Sequence, residues 1–419
     1  MPCEDSEEWL KIQSVLSRPL GSLGDLDAII NEFSTTGQTC RFFTNIPNTP
    51  EGASFDFAGF WASGAPLMVQ LALEMPVLFA DTRIPLLLAG DPKTVTLSHR
   101  QCACLLAHSA FGSITSKARQ VKKEKWAFRA AQLFFLEATP SALCFLNYFK
   151  RLGQTGVPEG SLTIERRGFE RGNPPWAWPH SATPLCKVEF APEGTIETSP
   201  AEVHADFANK FIGGGCLEND FMMEEILFAI KPELIVSMAL CSYMQDEEAI
   251  VIAGARQYSS YSGYGHSFTF LGDYEDARAV PATVAAMDAL QGLSKIQFKE
   301  GLMLRDMNKA RVAFQGARTV ATGNWGCGAF GNDHVLKFLQ QWLAASEAKV
   351  EMLYYHTFSD KRAAELPLLR DGLSNLTVGE LWEAVLEAAK PGMAIRFRSA
   401  MVERAQQEIS KASPLSAQQ

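Results

Sequence analysis

Past Leu185, short runs of consecutive apolar residues alternate with stretches of helical spacing, and this alternation limits the fold more than any other feature. The runs lie at residues 188–191, 234–240, 249–253, 318–321 and 350–355. Helix-like segments at 222–230, 283–290 and 334–346 fall between them. A strand that is apolar on both faces must be buried on both, so helices have to cover the sheet on two sides. The expected fold is therefore α/β, a mixed sheet sandwiched by helices.

The first 150 residues read differently. Trp9, Leu10, Ile12, Val15 and Leu16 keep helical spacing, as do Leu67, Met68, Leu71 and Ala72, and the segments 101–111 and 126–136. Ser98 is placed as the start of the third of these helices. Residues 1–150 are thus expected to form a helical accessory region. The stretch 153–184 is rich in Gly, Pro and Trp and reads as loop and linker. The sheet-bearing domain is placed at 151–390, and a C-terminal helix and tail at 391–419. Thr377, with Glu380 three residues on, predicts a capping box, and Pro391 an interruption.

Composition excludes several classes. The chain has 419 residues, 47% hydrophobic and 20% charged, enough to bury a large core without staples. A net charge of -9 is not the field of a duplex nucleic-acid binder, so phosphates have to be met locally by main-chain amides. Among nine cysteines the one close pair, Cys102 and Cys104, lacks the spacing of a zinc site, and no metal is expected. Reduced, buried thiols fit the nucleus or cytoplasm. The uncharged run 57–73 is broken by Gly59, Gly64 and Pro66 and is short for a membrane span. The acidic N-terminus is unlike a signal peptide. The basic segment 116–129 reads as a solvated helix face.

Two glycine-rich turns carry the chemistry. Gly213-Gly214-Gly215 has no side chains to keep a ligand from its amides. Downstream come Met223, Glu224 and Glu225 at the start of a helical run. Adjacent helical residues diverge by roughly 100°, so both carboxylates serve one site only if it wraps the helix start. A general acid there needs burial and a neighbouring carboxylate to outweigh the helix dipole. The second turn, Gly326-Cys327-Gly328-Ala329-Phe330-Gly331, has G-x-G-x-x-G spacing, which suits a diphosphate at a helix start. The acid that a nicotinamide dinucleotide site places after the next strand is missing. Aromatics cluster at Tyr258, Tyr261, Tyr264, Phe268 and Phe270, and at Tyr354, Tyr355 and Phe358.

In this order the pieces resemble the poly(ADP-ribose) glycohydrolase family, whose signature is three glycines, six to eight residues, then Gln-Glu-Glu. Asp206-Phe207-Ala208-Asn209, Pro232-Glu233-Leu234-Ile235, Gln257-Tyr258-Ser259 through Tyr264, and Ala321-Thr322-Gly323-Asn324-Trp325 through Gly331 are similar to the family too. The resemblance covers roughly residues 90–360. It implies a macrodomain-like fold and hydrolysis of the ribose–ribose bonds of poly(ADP-ribose), with ADP-ribose as product and no cofactor. It also implies ADP-ribosylated proteins as partners and a setting in the DNA damage response. Glu225 would be the acid/base, Glu224 and Asn209 would hold the ribose, and Asp206 would support the glycine loop of Gly213, Gly214 and Gly215. Gly326, Cys327, Gly328, Ala329 and Phe330 would wrap the diphosphate, with Asn324 beside them and Phe330 against the ribose. Tyr264 would cover the bound unit, Ile196 and Glu197 would contact adenine, and Phe358 would stack on it. Met223 stands where the family has glutamine, and a thioether has no amide donors. A non-catalytic ADP-ribose reader and an NAD-dependent oxidoreductase built on Gly326 to Gly331 are the alternatives.

Overall fold

The computed structural model describes residues 2–34, 39–80, 84–114, 139–168, 177–218, 221–275, 280–291, 296–390 and 396–412. The basic segment 116–129, the helical spacing at 126–136 and the tail beyond 412 lie outside them. The strands are β1 (Lys93–Ser98), β2 (Ser161–Arg167), β3 (Lys187–Ala191), β4 (Val203–Asp206), β5 (Ala249–Ala253), β6 (Ser259–Ser262), β7 (Thr269–Asp273), β8 (Thr283–Ala286), β9 (Thr319–Gly323) and β10 (Met352–His356). The chain divides into two interleaved compact units: Met1–Glu165, Phe211–Tyr243 and Ile252–Pro281 form one; Arg166–Lys210, Met244–Val251 and Ala282–Gln419 form the other.

The first unit is mostly helical. Ser6–Leu16 starts on Asp5, whose carboxylate accepts the Glu7 and Glu8 amides. His99–Phe111 starts, as expected, on Ser98, in a capping box closed by Gln101, and stops at left-handed Gly112. Inside that helix His108 is buried, its Nε2 donating to the Ala72 carbonyl at 2.9 Å and its Nδ1 lying 2.7 Å from Ser113 Oγ. Burial pushes its pKa down to about 4, so the ring stays neutral near pH 7. The helix Thr139–Thr155 donates from Asn147 Nδ2 to the Tyr258 carbonyl at 3.0 Å. The Tyr258 amide in turn bonds to Ile230, the last residue of the helix Met223–Ile230, at 2.9 Å. Glu233, just beyond, is fully buried between His99 Nδ1 at 2.9 Å and Tyr148 Oη at 3.4 Å. The helix that carries Glu224 and Glu225 is therefore held at its far end by buried polar contacts, which would be costly to leave half made.

The second unit holds the sheet order β5-β8-β4-β9-β10-β3. β4 runs parallel to β8 and β9, and β10 parallel to β9 and β3. The registers set Asp206 opposite Ala286 and His356 opposite both Gly323 and Ala191. The carboxyl ends of β8, β4, β9, β10 and β3 thus lie along one edge. Helices Glu300–Phe314, His334–Glu347 and Val378–Ala388 bury Phe314, Trp342 and Trp382 in its core. Truncating such an aromatic to alanine costs about 3–5 kcal/mol. Thr377 and Glu380 close the expected capping box.

Three expectations fail. Residues 234–240, read as a strand, are the end of a 3-10 turn and the helix Ile235–Leu240, entered through Pro232. A short buried apolar run has no period that separates strand from helix. Residues 283–290, read as helical, contain strand β8 instead, its Thr-Val-Ala-Ala pattern buried between β4 and β5. Alanine's helix propensity gives way there to a central, two-sided position. Within 153–184, read as loop, lies β2, whose alternating burial is masked in sequence by its charged Glu165, Arg166 and Arg167.

Candidate active site

In the first unit the triple glycine folds back over the start of the helix Met223–Ile230. The Gly213 amide donates to Glu224 Oε1 at 2.6 Å, and the Gly215 amide to Glu225 Oε1 at 3.0 Å. The loop closes on itself through Cys216 N to Gly213 O at 2.9 Å and Glu218 N to Gly215 O at 2.7 Å. Gly213 and Gly214 have φ of +90° and +49°. A Cβ on Gly214 would strike Glu225 Oε1 and lie 2.8 Å from Glu224 Oε2; one on Gly213 would lie 2.7 Å from Met238 Sδ. Both the backbone conformation and the space demand glycine. The two glutamates, second and third in their helix, diverge around its axis, and the loop wraps the helix start so that both reach it.

Glu224 and Glu225 are 3% and 7% exposed. The N-terminal end of the helix and the donated amides favour negative charge there, while burial and the neighbouring carboxylate oppose it. Met222, at the N-cap, supplies no side-chain cap, and Met223 opens the helix. Phe221 stacks on Phe268 with centroids 4.9 Å apart, and its carbonyl accepts the Gly265 amide at 2.9 Å. Tyr264, next to Gly265, is 57% exposed, its own amide bonded to Ser267 Oγ at 3.0 Å. In sequence Phe221 stands apart from the aromatic cluster at 258–270, and only the fold joins it to Phe268.

In the second unit the resemblance residues gather at the carboxyl edge of the parallel strands, where open α/β sheets bind ligands. Asp206 ends β4 fully buried, and Asn209 is exposed three residues on. After β9, Asn324 Nδ2 donates to the Thr357 carbonyl at 3.0 Å, tying this loop to the one after β10. Trp325 is buried, its Nε1 bonded to the Met287 carbonyl at 2.9 Å. Gly326 has φ +71°, and its missing side chain leaves room for Asn332, whose Nδ2 bonds to the Gly326 carbonyl at 2.9 Å and the Leu290 carbonyl at 2.8 Å. The Cys327 and Gly331 amides close turns on Asn324 and Gly328. The amides of Gly328, Ala329 and Phe330 have no hydrogen-bond partner among the described residues, and Gly328 and Ala329 are exposed.

Past β10, Phe358 and Ser359 are both left-handed, with φ of +54° and +53°, and Phe358 is 44% exposed. Two successive side chains in that region store strain of the kind that collects at functional sites. Ile196 is buried and Glu197 half-buried in the 3-10 turn Ile196–Thr198. Burial pushes the His356 imidazole below its ordinary value, while the Glu197 charge and the Gly194 main chain pull it back up, and the Phe358 ring lies 6.1 Å from the His356 ring. The helix after Gly331 starts at His334, and Asp333 occupies its N-cap, accepting the Leu336 amide at 2.9 Å. A dinucleotide loop delivers its pyrophosphate to that helix end; here a carboxylate already holds it. No group of three or more metal-ligating side chains occurs, and no helix is long and apolar enough to cross a membrane, among the described residues.

Residues 57–166 match the family model of the helical domain of poly (ADP-ribose) glycohydrolase, and residues 176–365 match that of its Macro domain fold. A protein of Arabidopsis thaliana named probable poly(ADP-ribose) glycohydrolase 2 is 29% identical over 409 residues, 79% of this chain and 78% of its own. Poly(ADP-ribose) glycohydrolase 1 of the same plant is 29% identical over 422 residues, 77% of each. Poly(ADP-ribose) glycohydrolase 1 of Caenorhabditis elegans is 30% identical over 341 residues, 74% of this chain and 42% of its own.

Proposed function

The chain belongs to the poly(ADP-ribose) glycohydrolase family, and from that premise we infer that it hydrolyses the ribose–ribose O-glycosidic bonds of poly(ADP-ribose) and releases ADP-ribose. The observation that carries the reading is the pair of buried carboxylates fixed by the Gly213 and Gly215 amides at a helix start.

In the mechanism we propose, Glu225 enters protonated and gives its proton to the departing 2′ oxygen. The C–O bond breaks and positive charge develops on the other ribose. Glu225, now a carboxylate, takes a proton from water as that water attacks, which restores the acid. Glu224, held by Gly213, orients the ribose. In the second unit the amides of Gly328, Ala329 and Phe330 take the diphosphate and Phe358 the adenine face. The polymer's carriers are ADP-ribosylated proteins. Incubating the purified protein with poly(ADP-ribose) should liberate free ADP-ribose. Tight ADP-ribose binding with no release would make it a reader.

A further inference from the structure

Residues 326–330 carry no charged side chain, and the chain as a whole is acidic at -9. Amide dipoles alone would face a diphosphate that carries about two negative charges. Below the loop, however, lies a buried ion-pair network. The Lys337 ammonium, 1% exposed, sits over the indole face of Trp325, 4.3 Å from the ring centroid. It pairs with buried Asp306. Arg305 joins Asp306 at 2.8 Å to Asp288 at 2.6 Å, and Lys309 meets Asp288 at 2.5 Å. Two buried lysines and the partly buried Arg305 thus share two buried carboxylates. The remaining anion on Arg305, Asp246 at 3.2 Å, is 78% exposed and screened by water. Burial pushes Lys309 down to about 8, so it still carries its charge at pH 7.

The field of Lys337 reaches the loop itself. Burial raises the Cys327 thiol to about 12, and Lys337 is the foremost influence in the opposite sense, with Arg362; Asp333 and Asp360 act against them. A group that favours an anion at Cys327 also favours one on the adjoining amides.

We propose that Lys337 is an affinity-determining residue for the diphosphate: from beneath Trp325, without touching the ligand, it supplies the positive charge that Gly326 to Phe330 lack. This rests on reading that loop as the diphosphate cradle. It goes beyond the loop's amides in assigning part of the affinity to a buried side chain on the helix that follows.

Binding of ADP-ribose and of uncharged adenosine at pH 7 tests it. Lys337→Met keeps the aliphatic stem and should weaken ADP-ribose about thirtyfold, the scale of one unit charge acting on another over ~8 Å at an effective dielectric of about 20. Adenosine should bind within about twofold of wild type. Asp306→Asn removes the carboxylate that Lys337 shares and should shift ADP-ribose the other way, toward tighter binding. Equal losses for both ligands in Lys337→Met, or no loss for either, overturn the role of Lys337. Should that variant not fold, unchanged or weaker ADP-ribose binding in Asp306→Asn does so. Wild-type protein that binds ADP-ribose no more tightly than adenosine would instead overturn the reading of the loop.

Discussion

The glycine turn of the first unit and that of the second treat their amides in opposite ways. Around Gly213 to Gly215 the amides are given to the protein's own carboxylates, Glu224 and Glu225. Around Gly326 to Phe330, three successive amides are left without a partner among the described residues. The glycines differ to match. A side chain at Gly214 would strike both glutamates, whereas a Cβ at Gly328 meets nothing within 4 Å. The first turn fixes a pair of acids in place before any ligand arrives. The second leaves a cradle open for the ligand to fill.

The hardest test of this contrast is Glu225→Gln. The amide keeps the shape of the side chain but has no proton to give, so turnover on poly(ADP-ribose) should fall by at least about 10²–10⁴-fold. ADP-ribose affinity should hold, since the open cradle lies elsewhere in sequence and is untouched. Turnover near wild type would remove Glu225 from the chemistry. Next in size is Gly214→Ala. Its methyl group has to displace both carboxylates and adopt a positive φ. Misplacement of about 1 Å is worth on the order of 10²-fold in rate. Steady-state kinetics should show the loss in kcat; a loss confined to KM would mean that the turn only binds.

Helix starts such as Ser98, and Thr377 with Glu380, were legible because their neighbours in sequence decide them. Residues 234–240 and 283–286 were not, because tertiary placement decided the first toward helix and the second toward strand. The glutamates were legible as a pair, and the site they share depends on where Gly213 and Gly215 fold. Lys337 gave no signal at all. In sequence it is an ordinary helical lysine, and only packing brings it over Trp325.

Met223→Gln probes the first turn more gently. If the glutamine that the family carries there makes a polar contact with the nucleotide, restoring it should tighten ADP-ribose by one hydrogen bond. That is about 0.5–1.5 kcal/mol, up to roughly tenfold. If Met223, which is half-buried, is instead part of a local repacking, an amide that finds no partner there should cost about 1 kcal/mol of stability, the low end for an unpaired polar group. Calorimetric titration and a thermal melt on the same variant separate the two. Unchanged affinity with a lower melting temperature would assign Met223 to packing.

The smallest effect bears most directly on the contrast between the turns. Gly328 is not among the residues with positive φ, and a Cβ there meets no atom within 4 Å. Nothing in the protein itself demands glycine at this position. Alanine should therefore fit without strain and stabilise the fold by about 0.4–1 kcal/mol, through the lost freedom of the unfolded chain. Its methyl group adds bulk at the first of the open amides, however, where a diphosphate has to approach the main chain closely. Gly328→Ala should raise the melting temperature slightly while weakening ADP-ribose by a few-fold. The same change at Gly214 should lower both stability and turnover, because there the glycine answers to the protein's own carboxylates. If Gly328→Ala were destabilising, the second turn would be as internally determined as the first, and the contrast between them would fail. If it were stabilising with affinity unchanged, the diphosphate would have to lie away from Gly328, against Ala329 and Phe330 alone.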